Sequence, residues 1–138
     1  MGLRHALLVL PTLAACGLQT VRLMADDHQL RDTAAYVTAR RYASGGTEVH
    51  VEAYRLPGPA RLPLDATTLV VWSRAWPSAA RRLGALDLRQ SGDPSTQDGT
   101  LRATVAEASF DLFITGEPTA DVSEPSARRL MWATVSAK

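Results

Sequence analysis

From residue 33 onward, short apolar-rich runs alternate with turn residues at the spacing of a β-sheet protein. The clearest two-residue period spans 47–56, where Val49, Val51 and Ala53 share one face and Glu48, His50 and Glu52 the other. Leu56-Pro57-Gly58-Pro59 ends that run, because proline cannot donate to a strand ladder. Residues 36–42 form another strand signal, closed by Ser44-Gly45-Gly46, a hairpin-type connection. The strongest run is 67–75, in which Leu69-Val70-Val71-Trp72 is apolar on both faces. Further strands are predicted at 82–89, 100–105, 109–115 and 129–136. A polar loop over 90–99 carries two turn signals, Gly92-Asp93-Pro94 and Asp98-Gly99. The pattern therefore predicts seven strands over 33–138 and no competing helix. That number and spacing fit an all-β fold, an immunoglobulin-like antiparallel β-sandwich.

The first 32 residues follow a different pattern. Arg4 and His5 precede the apolar run Ala6-Leu7-Leu8-Val9-Leu10, which continues across Pro11 to Leu13. Leu13-Ala14-Ala15-Cys16 closes the run with two small residues and the only cysteine of the chain. This stretch resembles the signal peptide and lipobox of a bacterial lipoprotein. The resemblance implies a signal peptide over 1–15 and a diacylglycerol-modified Cys16 as the first residue of the mature protein. The apolar run is far shorter than the roughly 20 residues that span a bilayer. Two other readings stay open: an ordinary secretory signal cut near Ala15, leaving a free Cys16 thiol, and a cytoplasmic protein with an apolar start. Residues 17–32 mix Leu18, Val21, Leu23, Met24 and Leu30 with Asp26, Asp27, His28 and Arg31. They are expected as a tether, either a loose linker or a short helix, which periodicity does not decide.

Composition narrows the function class. The 138 residues hold 15 Lys and Arg against 14 Asp and Glu, and loss of Arg4 with the leader balances them. A neutral body offers no electrostatic footprint for a nucleic-acid backbone, so a nucleic-acid partner is not expected. With one cysteine no internal disulfide can form, and the core alone must stabilise the body, which about 100 ordered residues can do.

A second resemblance runs through the body in order. Its residues are Leu56-Pro57, Val70-Val71-Trp72, Leu83-Gly84-Ala85-Leu86, Asp98-Gly99, the block from Phe110 to Pro118, and Pro125-Ser126. This series, over roughly 47–136, resembles the extracytoplasmic domain of the anti-sigma-K factor family. Complete members carry a sigma-binding domain and a membrane helix ahead of that domain, whereas here the leader precedes it. The resemblance thus implies a sandwich fold and an envelope sensing or contact role, without anti-sigma activity.

Catalytic and metal-binding arrangements are scarce. Only His28 and His50 remain after the leader, and no serine sits in a nucleophile elbow. Asp26-Asp27-His28 could ligate a metal, but three adjacent residues in a tether make a solvated linker instead. The expectation is a module without cofactor, metal or chemistry of its own. Trp72 is expected between the sheets, with Glu117-Pro118 and Pro125-Ser126 fixing the loop before the last strand. Placing Val70, Trp72, Phe110, Leu112, Ile114, Leu130 and Trp132 inward turns Val71, Phe113, Met131 and Ala133 outward. Those four form a candidate contact site for an envelope protein or the membrane surface. The expected function is a lipid-anchored interaction or sensing module, held in the membrane through acyl chains on Cys16. The alternative is an envelope enzyme or small-ligand binder with its site in the end loops. Gly17 after the cysteine is compatible with outer-membrane sorting in a diderm organism.

Overall fold

A computed structural model describes residues 17–61, 66–127 and 129–137. Two antiparallel sheets of five strands each account for the described body. In the first sheet the strands are β1 (Gln19–Arg22), β3 (Ala34–Arg41), β4 (Thr47–Pro57), β8 (Thr96–Val105) and β7 (Asp87–Gln90), in that spatial order. In the second they are β2 (Met24–Ala25), β10 (Arg129–Ser136), β9 (Ser109–Glu117), β5 (Thr68–Arg74) and β6 (Arg81–Ala85).

One core joins the two sheets. Val37, Val49 and Val51 from the first meet Val71, Leu112, Ile114 and Met131 from the second. The two-residue period of 47–56 is realised: Val49, Val51 and Ala53 are buried in this core. Glu48, on the opposite face, pairs with Arg40 at 3.5 Å and Arg102 at 3.8 Å. The expected neighbours β5, β9 and β10 do share a sheet, with β9 in the middle.

The structure departs from the sequence expectation in three stretches. Residues 82–89, expected as one strand, are two strands in different sheets. β6 pairs with β5, and β7 pairs with β8. Leu86 is buried between them and its N–H donates to Leu69 O at 2.8 Å. The backbone stays extended through the crossing, so strand-like composition hides the change of partner.

Residues 96–99 belong to β8 rather than to a loop. Asp98-Gly99, read as a turn, faces a bulge in β4 where the register shifts between Ala53 and Leu56. Arg55 occupies that bulge with φ 57°, a left-handed conformation that normally favours glycine. Its N–H donates to Asp98 Oδ1 at 3.0 Å, and its carbonyl accepts from Thr33 Oγ1 at 3.0 Å. Gly99 runs close under the crossing, so a Cβ there would lie 3.1 Å from Leu88 Cδ2 and 3.2 Å from Leu86 Cβ.

The stretch expected as a tether contributes two strands. β1 pairs with β3 in the register Gln19 to Ala39, and β2 pairs with β10. Leu23, buried between them, carries the chain from one sheet to the other, and Leu30 is buried after a 3₁₀ turn at His28–Leu30. Two anchoring leucines suffice to dock a segment whose polar residues conceal any periodicity. Cys16 lies outside the described residues.

Candidate functional site

Register decides which side chains reach the outer face of the second sheet. Paired residues in neighbouring strands project to the same side. β9 points Phe110, Leu112 and Ile114 into the core, as expected. Val71 pairs with Ile114, and Ala133 pairs with Leu112, so both point inward as well. A bulge between Arg129 and Met131 brings Leu130 and Met131 together into the same core. Val71, Met131 and Ala133, expected outside, are therefore inter-sheet core residues with at most 3% exposure. The reason is that 69–72 and 130–133 are apolar at every position, so alternation has no phase to give.

The outer face instead carries a row of three rings. Trp72, Phe113 and Trp132 are Cα partners across β5, β9 and β10. Trp72, expected between the sheets, is fully buried on this outer side, in a second cluster with Val70 and Phe113. Val122, Ala80 and Trp132 pack against that cluster. The connection from β9 to β10 thus lies over the sheet, and its fastening is polar. Trp72 Nε1–H donates to Thr115 Oγ1 at 2.8 Å, and the Thr115 hydroxyl donates to Glu117 Oε1 at 2.7 Å. The Ser126 N–H reaches the same Glu117 oxygen at 2.7 Å. Arg82 Nη1–H bonds the carbonyls of Ala120 and Val122 at 3.2 and 3.3 Å. Glu117 and Ser126 thereby hold the loop that the sequence pattern assigned to them.

A groove of about 460 Å³ remains open beside this covered patch. Phe113, the one expected contact residue on this face, lines it at 7% exposure. Trp76, 72% exposed, lines it too, together with Arg74, Asp111, Arg129 and the 125–127 stretch. The Arg74 guanidinium lies 5.0 Å from the Trp76 ring centroid and 5.3 Å from that of Phe113. Arg129 stacks on Trp132 at 4.8 Å and donates to Asp26 Oδ2 at 2.6 Å. Asp111 accepts from the Thr134 hydroxyl at 3.0 Å. An exposed indole beside a stacked guanidinium can bind apolar and anionic groups together.

Neither His28 nor His50 lines this groove. His50 sits on the outer face of the first sheet, 3.3 Å from Glu52. Asp26, Asp27 and His28 do not converge on one point. Asp26 turns to Arg129, and Asp27 accepts from the Gln29 N–H at 2.9 Å. Among the described residues no group of three His, Cys, Asp or Glu side chains could hold a metal ion.

Sequence pattern missed Arg74, Trp76 and Arg129 as groove residues. The available signal was Arg74 two residues before Trp76 at the end of the most apolar strand. Comparison with protein-family models, with curated proteins and with solved structures finds no match for this chain.

Proposed function

We propose that this chain is a lipid-anchored binding module of a bacterial cell envelope, without catalytic activity. In this reading the groove over Phe113 holds a segment of an envelope protein. The Leu13-Ala14-Ala15-Cys16 leader supports the anchor. The strand order supports an immunoglobulin-like body. β3-β4-β8-β7 facing β10-β9-β5-β6 is the A-B-E-D and G-F-C-C′ arrangement, with β1 and β2 added at the edges.

One observation carries the binding role. Trp76 stands open to solvent with the Arg74 guanidinium between it and Phe113, while Val70, Trp72 and Phe113 on the same face are buried. Trp and Arg dominate the centres of protein interfaces, because a large rigid surface and a planar cation both bind on desolvation. The fitting partner segment brings an apolar side chain for the indole and a carboxylate for Arg74.

The test has two independent arms. An alkyne fatty acid fed to cells should label the full chain and not C16S; an unlabelled parent protein removes the anchor. A photo-crosslinking residue at Trp76 should trap one envelope protein, and R74E should abolish that adduct. The same probe at Arg102, on the other sheet, should not trap it. Equal trapping at both positions removes the groove as the binding surface.

A further inference from the structure

A second concavity, of about 580 Å³, opens at the end of the sandwich where β3 and β8 begin and β4 finishes. Its walls come from three separate segments. The 3₁₀ turn and its exit contribute His28 and Arg31; the end of β4 and the following turn contribute Arg55 and Arg61; the start of β8 contributes Thr96. Three guanidiniums thus line one cup, and among the described residues none of them forms an ion pair. Asp32 is the one carboxyl group in the lining.

The backbone around the cup is firmly held. Gly58 N–H donates to Ser95 O at 2.9 Å, and Gln97 Nε2–H to Pro57 O at 2.9 Å, joining the β4 end to the β7–β8 turn. A Cβ at Gly58 would meet Ser95 O at 3.1 Å, so the two walls are nearly in contact. Behind the rim, Asp93 accepts the N–H and the hydroxyl of Ser95 at 2.9 and 2.8 Å, which fixes the turn. Arg55 stands out within this frame. At φ 57° a glycine would fit without strain, yet the position holds a long cation.

We propose that this cup binds a phosphate group. Arginine presents a planar fork of donors that suits phosphate oxygens, and three forks, one from the 3₁₀ exit and two from the β4 end and its turn, can share a tetrahedral oxygen set. The chain enters the body at Gln19, whose partner Ala39 lies near the far end of β3, away from the cup. On the lipid-anchored reading, the cup therefore faces away from the protein's own membrane. The phosphate belongs to a soluble or polymeric compound, or to a headgroup in an opposing bilayer.

Inorganic phosphate titrated into the full-length protein in neutral detergent, followed by amide NMR, tests the site. Shifts should cluster at Arg31, Arg55, Arg61 and Thr96. The triple variant R31Q/R55Q/R61Q should weaken binding at least tenfold, whereas R81Q, at the opposite end of the sandwich, should leave it unchanged. R55G separates binding from folding: it relieves the left-handed backbone, so its thermal midpoint should hold or rise while phosphate affinity falls. A second arm measures excess flotation with phosphatidylglycerol over phosphatidylcholine vesicles. Arginine-dependent flotation without amide shifts from free phosphate assigns a headgroup, and the converse assigns a soluble phosphate compound. If R55G and the triple variant keep parental binding in both arms, the proposal is overturned.

Discussion

Ser126 donates its backbone N–H to Glu117 Oε1 at 2.7 Å, tying the connection before β10 back to the end of β9. The same oxygen accepts from Thr115, whose hydroxyl in turn accepts from Trp72. One side chain thus holds both the loop and the ring beneath it. E117A strips partners from a buried hydroxyl and an N–H, and should lower unfolding free energy by about 1–3 kcal/mol in urea. Amide exchange at Ser126 should accelerate far more than exchange in β4. Unchanged protection at Ser126 would remove Glu117 as the fastening.

Trp72 is fully buried on the outer face of the second sheet, whereas Trp76, just beyond the end of β5, is exposed. W72A should cost about 3–5 kcal/mol, as for any large aromatic truncated in a closed site. W76A should shift stability by no more than about 0.5 kcal/mol, since a solvated surface ring loses little on removal. Chemical denaturation of the two variants compares them directly.

Met131 offers a sharp contrast between the expected and observed orientations. As an outer-face residue it would accept serine without penalty. As a core residue at 1% exposure it should lose about 2–5 kcal/mol, the range for Met-to-small changes. A thermal melt of M131S decides the matter.

Gly84 sits where β5 and β6 slip register, with φ 150° and a would-be Cβ 3.1 Å from Leu101 Cδ1. G84A therefore combines backbone strain with a contact in the packed interior. A loss of about 1–3 kcal/mol is expected. G45A has left-handed strain with open space around it, so the difference between the two isolates the packing part.

The turn at 93–95 should respond to acid. The N–H and hydroxyl of Ser95 hold the Asp93 carboxyl below its ordinary value of 3.8. A carboxyl with a folded value below the unfolded one stabilises the fold above that ordinary value, and the contribution fades as pH falls through the lowered one. The Ser95 amide resonance should be flat from pH 7 to 5 and move below about pH 3.8. D93N should remove the inflection.

Much of the body was legible because β4 alternates and its neighbours are separated by glycine and proline. The face of β5 and β10 was not legible. Leu69 to Trp72 and Leu130 to Ala133 are apolar at each step, so only pairing with β9 sets their direction. Trp72 misled by size: a large ring suits any closed site, and here a loop closes one outside the main core. The two edge strands were hidden because the buried apolar residues of that stretch, Leu23 and Leu30, stand among polar ones without a strand period. Neither concavity was visible in the sequence. Arg31 is brought to Arg55 and Arg61 from a distant segment, and Arg55 reaches the rim through a bulge that composition does not encode.

On the proposed acylation of Cys16, the pairing of Gln19 with Ala39 would restrict how the body moves. Gly17 and Leu18 alone separate that sulfur-bearing residue from hydrogen-bonded sheet, a span of about 10 Å fully stretched. On the proposed lipid anchor, a body on so short a mooring would not sweep far from the bilayer in search of its target. It would ride close against the lipid surface with restricted tilt, and whatever it meets must come down to it.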